Sequence, residues 1–348
     1  MAVGDSSLFQ GLSYFAVGRE TTLGTYVTAT AGIDFLSCSL KTQQDSKILE
    51  QVERSRTYSK QIALGKSVGG DLEFYFRAFD TAPMYLLQNA FGGTVTTSTV
   101  ASETVGGGGL QHVFATGNMN QNYVSLCLNV RKGPLTTGRV FNYSGVRVNE
   151  MRISAALDEP AKMGFSFVGM DSTQLSNDIE SVLTTTANQL LSFVNARFSV
   201  EGTFASLTST SFWHVQSVDF KLNNNLKTGN ESRRIGSNLL GILPPGMQTY
   251  ELSVNMRFDT TTAYAAMLAE TEYGAEFEFL GNTITGSVGR QTLLVEFQKV
   301  TVKDAGDPEI SGPDGILTAQ VTFNVLRDES ATGYACQATV INNLAAIA

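Results

Sequence analysis

Two histidines, His112 and His214, are all the chain offers for the proton transfers that acid–base and nucleophilic catalysis usually assign to imidazole. His112 lies in a Gly-rich insert and reads as a loop residue, while His214 follows Trp213 and reads as part of a strand. The three cysteines, Cys38, Cys127 and Cys336, are an odd set without close spacing, which fits neither a disulfide framework nor a zinc cluster. They read as free thiols in a reducing compartment. Asp304, Asp307, Glu309 and Asp314 cluster around Gly306 and Gly312 and would suit a hard cation. Their spacing is not that of an EF-hand loop, and Pro308 follows Asp307, so the run reads as a hairpin turn. The run Gly106 to Gly109 is not followed by Lys-Ser or Lys-Thr and opens no helix, which argues against a phosphate cradle. Arg131-Lys132 and Arg233-Arg234 lack the interleaved aromatics of single-strand binders, and the first pair reads as a solvated turn. No enzyme signature is left, and neither a cofactor nor a metal is expected.

The elements around these residues follow from alternation. Leu72, Phe74 and Phe76 face one way and Glu73, Tyr75 and Arg77 the other; Leu252, Val254, Met256 and Phe258 alternate with Ser253, Asn255 and Arg257. Further strands are expected at Tyr123 to Val130, Val146 to Ile153, Met163 to Val168, Gln291 to Val302 and Ala319 to Leu326. One helix per half is persuasive, starting after Phe-Asp-Thr, where Asp80 or Thr81, and Asp259 or Thr260, could act as N-caps. In the first copy its apolar positions are Leu86, Leu87, Ala90 and Phe91.

The two halves repeat. Ser37-Cys38-Ser39-Leu40-Lys41 returns as Ser217-Val218-Asp219-Phe220-Lys221; Glu53, Arg56 and Ser59 align with Glu231, Arg234 and Ser237; and Phe79-Asp80-Thr81 returns as Phe258-Asp259-Thr260. Any one match could be chance, but three in order indicate duplication. The stretch Asp171 to Gln189 is rich in Ser, Thr and Asn and reads as linker. The expected organisation is a first unit at 1–175 with an insert at 94–122, a linker at 176–189 and a second unit at 190–348. Each unit is mainly antiparallel β, a sandwich or barrel with one helix. The 348 residues suit two domains of ordinary size.

Charge is distributed unevenly over this plan. The formal net charge is −8, which disfavours holding a phosphate backbone. No apolar run approaches the ~18 residues of a membrane helix, and Met1 to Gln10 has neither a basic nor an apolar leader region. A soluble, unexported chain is expected. The longest polar stretch in each half lies between equivalent strands. Lys41 to Lys60 carries Lys41, Lys47, Arg54, Arg56 and Lys60 against Asp45, Glu50 and Glu53, a net of +2; Lys221 to Arg234 carries Lys221, Lys227, Arg233 and Arg234 against Glu231, a net of +3. Removing those five positive charges from −8 leaves −13 on the body. Two basic arms on an acidic body suggest head-to-tail docking of copies, with solvated hairpin arms as the plainer reading.

The arrangement resembles the tail tube proteins of long-tailed bacteriophages. The resemblance rests on Glu20-Thr21-Thr22-Leu23-Gly24-Thr25, on Tyr143-Ser144-Gly145-Val146-Arg147-Val148-Asn149 leading to Phe165-Ser166-Phe167-Val168-Gly169, on Val218 to Leu226, and on the strand into Phe258-Asp259-Thr260. Each patch is degenerate alone; their order and the duplication give specificity. The resemblance implies a β-sandwich subunit whose inner sheet joins its neighbours' to line a channel, in stacked rings of six such domains. A duplicated chain would close a pseudo-sixfold ring with three copies, a ring of six chains being the alternative. Lys47, Glu53, Arg54, Arg56 and Lys60, with Lys227, Glu231, Arg233 and Arg234, would make the contacts between rings. An acidic channel wall would let DNA pass without sequence-specific binding. The implied partners are further copies of the chain, a tape measure protein in the lumen, and terminator and distal tail proteins at the tube ends. The implied location is the virion tail, assembled in the host bacterial cytoplasm, with no membrane. The second half lacks the Gly-rich insert Thr94 to Asn122, which is open to two readings, an outward decoration or a poorly ordered loop. Outside this family the alternatives are a tandem carbohydrate-binding or adhesion module, which would want exposed aromatic platforms, and an outer-membrane barrel, weakened by the absence of a signal peptide and aromatic girdles.

Overall fold

Alternating sequences bury one face of a strand and wet the other, so strands of this kind are stable only when their apolar faces share a core. The computed structural model describes residues 13–50, 57–100, 109–119, 125–133, 140–175, 190–207, 213–257, 267–285, 289–306, 317–330 and 333–344, with 179, 183, 265 and 287. The first half contains β1 (Tyr14–Glu20), β2 (Ala31–Ile33), β3 (Ser37–Cys38), β4 (Lys41–Ile48), β5 (Gln61–Tyr75), α1 (Thr81–Phe91), β6 (Gly92–Thr99), β7 (Leu110–Thr116), β8 (Ser125–Arg131), β9 (Val140–Ala156), β10 (Lys162–Gly169) and β11 (Asp171–Leu175). The second contains β12 (Ala196–Glu201), β13 (Val215–Asn223), β14 (Thr249–Arg257), β15 (Glu272–Thr283), β16 (Arg290–Ala305), β17 (Thr318–Leu326) and β18 (Cys336–Asn342). The chain is mainly β with antiparallel pairing, as expected of a sandwich, and the described residues form no closed barrel.

One long sheet runs β4–β5–β10–β9–β13–β14–β17–β16. Strands β9 and β16 carry on into the opposing layer: β9 there pairs with β8 and β11, and β16 with β15 and β18. The repeat is visible in the ladders. The rung Cys38–Leu72–Phe165–Met151 crosses four strands of the first half as Val218–Val254–Val321–Ala305 crosses four of the second. A bulge adjoins each rung, between Ser166 and Phe167 on one side and Val302 and Asp304 on the other. Cys38 therefore occupies the place of Val218, as the sequence repeat requires.

Two seams tie the halves together. In the long sheet β13 lies on β9, from Ser217 opposite Ala156 to Asn223 opposite Glu150. In the other layer β7 lies on β18. One apolar cluster spans both halves, with Phe74 stacked on Phe165 at 5.8 Å and Phe220 against Phe297 at 5.0 Å.

Several expectations change. Within the polar stretch Lys41 to Lys60, Lys41 to Ile48 is a strand, so the described part of the first arm is a β-hairpin with β5. Asp171 to Leu175 is β11, paired with β9, and not linker. The insert is neither a decoration nor a loose loop in its described part, because β6 and β7 extend the second half's sheet. Gly106 to Gly108 lie outside the described residues. Helix α1 starts where expected and buries Leu86, Leu87, Ala90 and Phe91, but the Asp80 side chain accepts no capping bond. Of the second helix, only Ala265, Met267 and Leu268 are described as helical; its N-cap candidates lie outside the described residues.

Gly70 sets the close approach of β3 to β5. Its φ is +149°, and a Cβ there would stand 2.5 Å from the Leu40 Cα. Both the backbone conformation and the clash oppose any side chain. Gly70→Ala should lower unfolding free energy by about 2 kcal/mol or more, read from the denaturant midpoint.

Candidate functional site: the long sheet, its ends and the paired arms

The seam between β13 and β9 is held on three levels. On the wet face the Arg152 guanidinium pairs with Asp219, and Lys221 Nζ lies 3.1 Å from Glu150 Oε1. In the core Val218, Phe220 and Leu222 meet Met151 and Ile153. At the end of the seam a buried amide closes the backbone accounting. Asn224 Nδ2 donates to the carbonyls of Ala90 at 2.9 Å and Val148 at 3.0 Å, and Gln248 donates to its Oδ1 at 2.9 Å. The Asn224 N–H bonds the Asn149 carbonyl at 2.7 Å, and the Leu226 N–H bonds the Asn149 side chain at 2.8 Å. Buried polar groups must be paired, so this Asn run specifies which strand β13 can join.

The motif Glu20 to Thr25 has a comparable explanation. The buried Glu20 carboxylate accepts from Ser125, from the Gly24 N–H at 2.9 Å and from the Gly145 N–H at 2.9 Å. Gly24 and Gly145 both have positive φ, so each turn needs glycine to present its N–H there. One carboxylate thus joins two stretches, Glu20 to Thr25 and Tyr143 to Asn149. Burial raises the Glu20 pKa against the lowering effect of those bonds.

The long sheet has two open ends. Strand β4 pairs with β5 on one side and with no strand on the other among the described residues. Strand β16 loses β15 after the pair Glu272–Thr301, so from Val302 onward that edge has no strand partner among them either. The wet face from one end to the other carries Asp71, Glu73, Glu150, Asp219, Glu251 and Asp304 against Lys41, Arg152, Lys162, Lys221, Arg257, Lys299 and Lys303, six acids to seven bases. The expected acidic wall is not found on this face. Its charges are balanced and several are paired.

The two arms, expected as equivalent, meet in one chain at the base of the first hairpin. The Lys66 N–H bonds the Asn238 carbonyl at 2.7 Å, and the Arg233 guanidinium covers Gly65, so close that a Cβ there would meet it at 1.7 Å. Ala63 to Gly65 and Arg233 to Asn238 line a shallow groove of 530 Å³. Of the expected contact residues, Lys47 and Lys60 are exposed on the hairpin, Lys227, Glu231 and Arg234 are exposed on the second arm, and Arg233 is half-buried between the arms. Glu53, Arg54 and Arg56 lie outside the described residues. Sequence reasoning missed the exposed apolar side chains Ile48, Tyr58, Ile62, Leu64 and Ile235 that accompany the charges. They were present as apolar letters in a polar stretch, which is the signal that could have found them.

Residues weighed for chemistry take structural roles. Burial pushes the Cys127 thiol up to about 12 and raises those of Cys38 and Cys336. Trp213 and His214 precede β13 rather than lying in a strand, and Trp213 packs on Phe198 and Phe323 instead of offering an exposed platform. Arg131 is not in a solvated turn; it is buried with its guanidinium 4.9 Å from the Tyr14 ring centre. His112 is a buried strand residue, not a loop residue. Its Nε2–H donates to Asn342 Oδ1 at 2.9 Å, and the Thr97 hydroxyl donates to its Nδ1 at 3.0 Å. Of the acidic run, Asp304 is the penultimate residue of β16, and Asp307, Glu309 and Asp314 lie outside the described residues.

A family model described as "Phage tail tube protein" matches residues 12–325. No curated protein matches the chain. Among solved structures, one titled "Crystal structure of Hcp protein" is 12% identical with a TM-score of 0.27, covering 42% of this chain and 97% of that one. At that score it carries no argument about fold.

Burial lowers the His112 pKa, outweighing the bond to Asn342. An imidazole titrates near about 6.5 when unfolded, so its contribution to stability is complete above that pH and lost as pH falls through it. Denaturant midpoints of the native chain and His112→Gln should therefore converge between about pH 7.5 and 5.5. The comparison isolates His112 from Glu20, Glu278 and Glu296, whose raised values act with opposite sign, favouring the fold as pH falls. A constant gap would contradict the assignment.

Proposed function

Because the chain belongs to the phage tail tube protein family, a structural component of the virion tail, we propose that three copies close each ring of the tube and that phage DNA passes through the stacked rings. The observation that carries this reading is the β9–β13 seam. In this reading it joins the two proposed units, 1–175 and 190–348, into one continuous piece of wall, with an edge at each end that has no strand partner among the described residues. Each chain then supplies two sixths of a ring, and three chains join the open ends of the long sheet to one another, which lessens an aggregation hazard.

In this reading the wet face of the long sheet lines the channel, and the core with α1 lies outside it. Balanced, paired charge interspersed with Ser, Thr, Asn and Gln gives a passing polyanion neither a strong attraction nor a barrier. The body's acidity then belongs to other surfaces. The paired arms reach the adjacent ring, where their basic and apolar side chains meet its acidic body. Lys47, Lys60, Lys227, Glu231, Arg233 and Arg234 are exposed or partly exposed for that contact, with Glu53, Arg54 and Arg56 from the same arms. A tape measure protein in the lumen, terminator and distal tail proteins at the ends, and assembly in the host cytoplasm complete the proposal.

Purified chain at high concentration should form stacked rings by electron microscopy; a persistent monomer with no rings or tubes would count against the reading. Replacing Arg54, Arg56, Arg233 and Arg234 by Glu should leave the far-ultraviolet spectrum of the subunit unchanged while abolishing stacking. Tubes of normal length from that variant would refute the role of the arms.

A further inference from the structure

We infer that the seam between neighbouring copies repeats the internal seam, with β4 of one copy laid on the C-terminal end of β16 of the next so that Gln43 faces Asp304 and Lys41 pairs with the same carboxylate. The inference rests on the tube reading above and adds the partner strand, the register and the charged contact.

The internal seam supplies the template. At its end Asn223 is opposite Glu150; its Nδ2 donates to Glu150 Oε2 at 3.2 Å, and Lys221 Nζ lies 3.1 Å from Oε1 of that side chain. One carboxylate therefore gathers an amide and an ammonium from the joining strand. The matching rungs carry these positions into the open ends. Cys38 corresponds to Val218, so Lys41 and Gln43 stand where Lys221 and Asn223 stand in the second half. Met151 corresponds to Ala305, so Asp304 stands where Glu150 stands, each on the residue following its bulge. Lysine for lysine, glutamine for asparagine and aspartate for glutamate preserve all three chemical roles.

The corresponding groups are available. Lys41, Gln43 and Asp304 are exposed, and neither charge has an ion-pair partner among the described residues. The fit also says where the seam differs. The Arg152–Asp219 pair would be answered by Gly306 and Ser39, which carry no charge, so the seam between copies has one charged contact where the internal seam has two. Between β3 and β4 the Leu40 carbonyl is already held by Lys132 Nζ at 2.8 Å and by the Tyr143 hydroxyl at 3.3 Å. Those bonds confine the predicted pairing to Lys41–Gln43 against Asp304–Gly306.

Two variant sets test this in the full chain. Gln43→Cys combined with Asp304→Cys, oxidised mildly after assembly, should give a covalent ladder that stops at three chains, while each single variant gives none. Lys41→Glu should raise the concentration needed for ring formation about tenfold, since like charges at an interface are costly, and adding Asp304→Lys to it should restore assembly. Rings that form normally without cross-links, and that ignore Lys41→Glu, would overturn the register and leave the tube reading intact. Failure of the unsubstituted chain to form rings would remove the tube reading and this inference with it.

Discussion

Pairing of β13 on β9 is the constraint on which the rest of the structure depends. A sheet edge is a row of unpaired backbone groups, and such an edge is satisfied by whatever strand fits it. Inside the chain the choice is narrowed by side chains whose burial admits no substitute partner. Asn224 reaches across to the end of α1 and to β9, Asn149 receives the Leu226 N–H, and Asn89 accepts the Val148 N–H at 2.8 Å. Ion pairs on the wet face add little to stability by themselves; they run diagonally, with Lys221 directly opposite Arg152, so the buried asparagine contacts rather than the charges fix the register. The core across this seam is continuous, so the two halves share one apolar cluster.

Much of this was legible in the sequence because burial leaves a period. Alternating Leu72, Phe74 and Phe76, and the corresponding run in β14, marked strands that the structure contains, and the Ser37 and Ser217 anchors gave the correct strand equivalence. What stayed hidden lacks such a period. All eight residues of β4 are exposed, so Lys41 to Ile48 has no apolar face to announce it and is held through its ladder with β5. Strand β11 is similar: Asp171-Ser172-Thr173-Gln174-Leu175 is polar and looked like linker. The insert was judged by its glycines, although Val113, Phe114 and the Thr-rich β6 carried strand propensity. Contact between the arms had no local signal at all, because Lys66 and Asn238 come from different halves.

Electrostatics shows the same separation between composition and place. A net charge of −8 described the whole chain and suggested an acidic conduit. Side-chain placement puts nearly equal numbers of acids and bases on the wet face and keeps the arms basic, so the excess acid lies elsewhere. A channel of this kind would work by offering a long polyanion no strong minimum, through interspersed and paired charges, rather than by repulsion. The arms combine charge with exposed Ile, Leu and Tyr, a composition that suits contact with another protein surface better than permanent solvation.

The most direct test of the account is the mass of the isolated ring measured by native mass spectrometry alongside its rotational average in the microscope. Three chains, three times 37.4 kDa, in a ring whose wall shows six similar units, is the result that one sheet running through two units predicts. A ring of six chains with the wall made of six single units would contradict it, because the β9–β13 seam would then not be part of the wall.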